Sequence, residues 1–419
     1  MVKVEQTLKF KYIFLLLLFF LISACSEFED KAAVLLTDRP EFAFYAEQFN
    51  FNQDKYKIEV IYKNNVAEDI YDKNNVPDII AGSWLKSAAT LKNWRNLTFL
   101  FKENPELEKS FYPALLALGK FDKKQYLVPV SFNLPVIVFS ENNSQLISNS
   151  VTIELEEIKK LGKDFNEEKN KIYTRIGFSP LWNNFLFEIA TIFNVSFKED
   201  SPLYWNEEAL SEAVLYARNW VDENGGLKAE DDFYYKYFFD TLSKLVTANR
   251  ILFAYMKSSD FFTMPPETLA NMDFRMLSGS GLIPVSESSV YYGLHKKGRA
   301  KSAARAFTVW FFNEDTQQLL LAKSREKHLT DTIFGIANGF SAINTVNENI
   351  FPIYYPTLLG HMPPAGQLAV PNILPKNWIE IKERVVIPYL RDASRSTNTM
   401  PLKQRLNDWL RIHNSFLVK

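Results

Sequence analysis

The sequence predicts an α/β protein with more than one domain-sized unit, and three observations carry that expectation. Strand-like and helix-like stretches alternate from the first residues after an apolar leader. The opening order of strand, helix and strand defines a parallel βαβ unit. The chain from Cys25 to Lys419 is also longer than a single hydrophobic core comfortably organises.

The leader comes first. Lys3, Lys9 and Lys11 precede Ile13 to Ile22, an unbroken apolar run half as long as the roughly 20 residues a spanning helix needs. Charge, short apolar core and then small residues make an export signal. Its close, Leu21-Ile22-Ser23-Ala24-Cys25, resembles the lipobox of bacterial lipoproteins, in which the cysteine is lipidated and becomes the new N-terminus. Residues 1–24 are therefore read as a signal peptide, and 25–33 as a lipid-anchored tether. Cys25 is the sole cysteine, so this reading leaves none for a disulfide, a zinc site or a nucleophile.

Along the mature chain, Ala32 to Leu36 reads as a buried strand. A helix follows, with Phe42, Tyr45, Ala46 and Phe49 on one face. Tyr56 to Lys63 is a second strand, rich in β-branched residues, and "VPDIIAGSW" is a third. In Gln125 to Asn142, Pro129 and Pro135 break an apolar stretch into short extended pieces, which suits a crossing between lobes better than a central strand. Asn206 caps a helix that carries Glu207 and Glu208 in its first turn and ends at Asn224-Gly225-Gly226. Strand-like sequence returns near Tyr291. Helices are expected over 300–312 and 315–323, near Trp378 to Tyr389, and over Leu402 to Leu410.

Composition narrows the function. Lys plus Arg number 48 against 49 Asp plus Glu, a balance that indicates no nucleic-acid partner. The 35 Phe, 19 Tyr and 8 Trp supply a large aromatic core, while only 14 Gly and no glycine-rich motif argue against a phosphate loop. His295, His328, His361 and His413 are scattered without ligand-like spacing, so no metal or other cofactor is expected. No serine sits in a nucleophile elbow, and no carboxylate pair stands out among the 49, so an enzyme is not expected either.

The lipobox, "VLLTDRPEFAFYAEQFN", the "PDII" strand, "YLVPVSFNLPVIVFS", "GFSPLWNNFLFEIA", "YWNEEALSEAVLYARNWVDENGG" and "YGLHKKGRAKSAARAFTVWFF" follow one another across nearly the whole mature chain. In that order the chain resembles the extracellular solute-binding proteins of ABC importers, in the maltose-binding-like branch. The resemblance implies a class II two-lobe fold, each lobe a mainly parallel sheet flanked by helices, with the ligand cleft between them. Lobe 1 would hold 34–133 plus 290–340, and a helix-rich lobe 2 would hold 134–289 plus 341–419. Crossings are expected near Pro129 to Pro135, Tyr291 to Leu294 and Gly335 to Asn344.

The resemblance further implies a monomer anchored to a bacterial membrane, its body in the periplasm or at the cell surface, delivering a small carbohydrate to permease subunits. Transfer by position nominates Asp38, Arg39, Ser83 and Trp84 at the first sheet's edge, and Phe132 and Asn133 on a crossing. It also nominates Trp182, Phe261, Tyr291, Tyr292, Trp378 and Lys382, with one of the two tyrosines facing the core by strand alternation. Asn249-Arg250 and Ser286 to Ser289 depart from the family's usual glycine-containing patterns. Those departures keep open a structural or adhesive surface lipoprotein as the alternative, with a secreted glycoside hydrolase a distant third.

Overall fold

The computed structural model describes residues 32–70, 76–201 and 203–417, with side chains to residue 413. The leader, Cys25 and the tether to residue 31 lie outside the described residues. No helix among the described residues is long and apolar enough to cross a membrane.

Two sheets organise the chain. The first is built from β1 (Ala32–Thr37), β2 (Lys57–Tyr62), β3 (Ile79–Gly82) and β4 (Leu127–Phe132). The second takes β5 (Pro135–Ser140), β6 (Thr152–Glu154), β7 (Phe253–Lys257) and β8 (Met272–Ser278). The chain then returns to the first sheet with β9 (Val290–Leu294) and β10 (Phe340–Ser341). The orders are β10-β4-β9-β3-β1-β2 and β7-β5-β8-β6.

The opening βαβ unit forms as expected. β1 pairs in parallel with β2 and β3, and the intervening helix Glu41–Phe51 buries Phe42, Tyr45, Ala46 and Phe49. The rest of the first sheet differs from the parallel expectation. β9 runs antiparallel to both β3 and β4, and β10 antiparallel to β4. In the second sheet only β8 and β6 are parallel. The cause is the to-and-fro of the chain: a strand arriving from the other sheet enters from the opposite end, which reverses its direction.

The proline argument also needs correction. β4 and β5 are buried interior strands, one in each sheet, and only Asn133 and Leu134 link them. Pro129 faces Tyr291 where the β9–β4 register shifts, and Pro135 is the first residue of its strand. A bulge and a strand start are the positions where a missing N–H breaks no ladder. Tyr291 to Leu294, expected to cross, lies wholly within the first sheet, and the crossing falls earlier, between Ser278 and Val290. Near the third expected crossing the chain stays on the first sheet: Ser341 pairs with Ser131, and the Tyr112 N–H donates to Ala342 O.

Helices cover the second sheet. Asn206 caps Glu207–Glu223 by accepting from the N–H groups of Glu208 and Ala209, and Gly225 (φ 95°) and Gly226 (φ 85°) turn the chain out of it. The late helix near Trp378 is interrupted: Trp378–Ile381 passes through a π-helical turn, Lys382–Val386, into Ile387–Arg395. Pro388 has no N–H for the preceding turn, and such wide turns often re-aim side chains.

Candidate functional site

A groove runs along the elements around the second sheet and meets those of the first sheet at one end. Its main hollow, about 510 Å³, is walled by Asn183, Asn184, Phe187, Glu188, Tyr255, Met256, Lys257, Asp260, Lys382 and Glu383, with Thr241 to Ser243 and Met264 on the rim. A smaller hollow of about 150 Å³ shares Phe187 and Glu188 with it and adds Ser286, Glu287, Val370 to Asn372 and Trp378. A third, about 480 Å³, shares Val370, Pro371 and Asn372 and reaches Lys86, Leu118 and Phe121 beyond β3. The three form one line. The flanks touch at two points: Ala88 N–H donates to Glu199 Oε2 at 2.7 Å, and Asn65 Nδ2 to Lys376 O at 3.4 Å.

The polar wall is built from buried, mutually committed groups. Tyr255 OH donates to Glu188 Oε1 at 2.6 Å, and burial raises the Glu188 carboxyl above its ordinary range despite that bond. Lys382 Nζ ion-pairs with Glu287 and sits 4.0 Å from the Phe187 ring centroid. Burial pushes the Glu287 carboxyl up, but Lys382 and Lys257 outweigh it and hold the group low. Asn183 (φ 50°) and Asn184 (φ 60°) both adopt the left-handed conformation, and Asn183 Nδ2 donates to Tyr255 O at 3.4 Å. Asparagine enters that conformation readily, so the pair turns the chain into the helix Phe185–Ile192 without glycine.

The nominated residues fall into three groups. Lys382 lines the groove, while Trp378 backs its smaller hollow from the core, fully buried against Phe187 and Phe197. Asp38, Arg39 and Ser83 come together at the carboxyl ends of β1 and β3. There Asp38 Oδ2 accepts from Ser83 N–H at 3.0 Å, while Arg39 Nη2 donates to Ser83 Oγ at 2.8 Å and to Ser288 O at 3.3 Å. Burial lifts the Asp38 carboxyl although Arg39 and the Ser83 N–H pull it down. Trp84 beside them is half-buried with φ 63°, a strained conformation for a large side chain.

Asn133 serves the crossing itself. Its Nδ2 donates to Asn338 O at 2.8 Å, and its Oδ1 accepts from Ser258 Oγ at 2.8 Å and Ser259 N–H at 3.1 Å. Its carbonyl takes the Ser286 N–H, so one asparagine ties two crossings and the start of the 258–262 helix.

The third group is core, not cleft. Trp182 is 4% exposed, stacked on Phe233 and tilted against Phe238 at 4.7 Å, behind the Asn183-Asn184 turn. Phe132 packs on Tyr112 and Phe340, and Phe261 on Phe262 and Phe274. Tyr291 and Tyr292 face opposite sides of β9, as alternation demands, but both sides are covered. Tyr291 OH donates to Leu115 O at 2.8 Å, and Tyr292 OH pairs with Thr308 Oγ1 at 2.7 Å. A first-sheet strand carries helices on both faces, so neither ring reaches the groove.

Sequence reasoning missed Phe187, Glu188, Tyr255, Lys257 and Asp260. The signal available was the doubled asparagine before "FLFEIA", and the polar residues Lys257 and Asp260 that close an apolar strand. One of the departures has a local explanation. Asn249 has φ 53° and accepts from Asn143 Nδ2 at 2.8 Å, so it keeps a left-handed turn without glycine. Among the described residues no group of three or more His, Cys, Asp or Glu is placed to hold a metal ion.

Neither a protein-family model nor a curated protein sequence matches the chain. Solved structures do match in fold. The sugar-binding protein MalE of Xanthomonas citri aligns with TM-score 0.64 at 12% identity, covering 90% of this chain and 95% of its own. A cyclic alpha-maltosyl-1,6-maltose binding protein from Arthrobacter globiformis gives 0.60 at 15%, covering 90% and 96%. An ABC substrate-binding protein from Listeria monocytogenes, in complex with cycloalternan, gives 0.59 at 13%, covering 91% and 99%. The chain thus has the two-lobe α/β fold of these binding proteins over nearly its whole described length. At such identities the likeness is one of architecture, and these neighbours are binding proteins rather than enzymes.

Proposed function

We propose that the protein is the lipid-anchored substrate-binding component of an ABC importer, and that it captures a carbohydrate by closing two lobes around it. The observation that supports this best is the groove. It runs along the elements around the second sheet and reaches those of the first at one end, and it sets the Phe187 ring beside amides, carboxylates and ammonium groups. A sugar needs that pairing of apolar ring faces for its C–H surface and fixed polar groups for its hydroxyls. The lobe division read from the sequence is retained, with the stretch 341–343 assigned to the first lobe. Asp38, Arg39, Ser83 and the strained Trp84 are proposed as the first-lobe contacts, and Phe187 takes the place intended for Trp182. Both buried groove carboxylates are engaged, Glu188 by Tyr255 and Glu287 by Lys382, which suits holding a ligand rather than cycling protons.

A thermal-shift screen of the mature protein against mono- and oligosaccharides, amino acids and polyols tests this. A ligand at a hundred times its Kd adds about 2.7 kcal/mol to native stability, and for a chain of this length that is a rise of only ~3 °C. Saccharides are expected to give that rise, and Phe187→Ala to weaken their binding by about 1–2 kcal/mol. Hits confined to amino acids would reject the ligand class. A complete lack of hits would favour the structural or adhesive lipoprotein. Anchoring is tested separately: Cys25→Ala should release the folded body from the membrane fraction, and unchanged retention would exclude the lipid anchor.

A further inference from the structure

The far end of the groove holds a cation that no anion among the described residues partners. Lys86, two residues past Trp84, is 8% exposed, and its Nζ lies 3.9 Å from the Tyr291 ring centroid. That ring is fixed by the Tyr291 OH bond to Leu115 O. No hydrogen bond or ion pair joins Lys86 to any described residue, although it lines a hollow of about 480 Å³. The walls there include Leu91, Leu118, Phe121 and Pro371, which make the surroundings of the amine largely apolar. Two other charged groups face the hollow. Glu199 already accepts the Ala88 N–H, and Lys198 lies 4.3 Å from the Tyr204 ring centroid. Burial without a partner brings the Lys86 pKa down to about 7.

A desolvated ammonium in apolar surroundings attracts an anion far more strongly than one in water does. The hollow continues into the sugar-sized compartments through Val370 to Asn372. We propose that the groove accepts a saccharide bearing an anionic substituent, a uronic-acid carboxylate or a sulfate ester, and that Lys86 receives that group. The inference rests on the carbohydrate reading and sharpens it. The balanced composition concealed it, because a single buried lysine leaves net charge near zero.

Calorimetric titration of the full mature protein tests it, with galacturonate and glucuronate di- and trisaccharides, sulfated disaccharides and the uncharged parent sugars. At least one charged series is expected to bind about tenfold or more tighter than its parents, a difference of about 1.4 kcal/mol. The two charged arms then separate carboxylate from sulfate. Lys86→Gln should abolish that preference while leaving the parents' affinity intact, and Lys86→Met, an apolar replacement of similar length, guards against a folding defect. At about pH 8, binding should draw a proton onto the wild type, read from heats in buffers of different ionisation enthalpy, and draw none onto either variant. Equal affinity for parents and acids, or an acid preference surviving both variants, would overturn the inference and leave the carbohydrate reading standing. Failure of every saccharide to bind would remove both.

Discussion

Lys382→Met is expected to destabilise the protein by about 3–5 kcal/mol, the usual cost of stripping the partner from a buried charge. The Lys382 and Glu287 side chains are each only 10% exposed, and Lys257 is the other cation acting on Glu287. Removing Lys382 leaves that carboxylate desolvated. The double variant Glu287→Gln, Lys382→Met should recover most of the loss, because it takes away both charges. The pH dependence follows from the held-down Glu287 carboxyl. A depressed folded-state pKa contributes stability that is fully present above the unfolded value of about 4.5 and is lost as pH falls through the folded one. Wild type should therefore lose more stability on acidification than the double variant. Urea unfolding of the three proteins at two pH values decides it, and a Lys382→Met protein as stable as wild type would refute the buried pair.

Glu230→Gln should do the opposite and stabilise the protein in alkali. Glu230 is 2% exposed in the first turn of Leu227–Tyr237, where Ser179 Oγ donates to Oε2 and Asn224 Nδ2 donates to Oε1 at 2.9 Å. Burial pushes its carboxyl up to about 7, with Ser179 and Asn224 pulling the other way. The native state thus keeps a proton that the unfolded chain releases above about pH 4.5, so stability falls as pH rises from there to about 7. Near pH 8 the deficit approaches about 3 kcal/mol. Glutamine resembles the protonated form, so the variant should show a flat profile over this range and exceed wild type above it. Parallel profiles for the two proteins would show that Glu230 is not the titrating group.

The parts of this structure legible in the sequence were those set by local periodicity and capping. The 3.6-residue stripe of Phe42, Tyr45, Ala46 and Phe49 and the Asn206 cap with its glycine exit needed no tertiary information. Strand direction and burial on both faces did, since they depend on partners far along the chain. Pro129 looked like a strand breaker because a register shift opposite Tyr291 cannot be read from Pro129's neighbours. Trp182, Phe261 and the paired tyrosines were chosen as rings at promising positions, yet a ring in this aromatic-rich chain finds other rings first. Lys382 was legible because it projects from a helix bearing a tryptophan one turn earlier. Its buried partner Glu287, distant in sequence, was not.

The chain's return to the first sheet has a consequence during synthesis. The strands of the second sheet are complete once residue 278 has been made, whereas the first sheet still lacks the strands ending at Leu294 and Ser341. At roughly 5–20 residues per second, Phe132 waits on the order of 10–40 s for Phe340, its neighbour across the ladder. Until Leu294 is made β4 has neither flanking strand, and until Phe340 arrives it has only one, so its apolar residues lack part of their native cover. A nascent chain in that state keeps an unpaired apolar strand edge, and it offers a holding chaperone a long interval in which to bind.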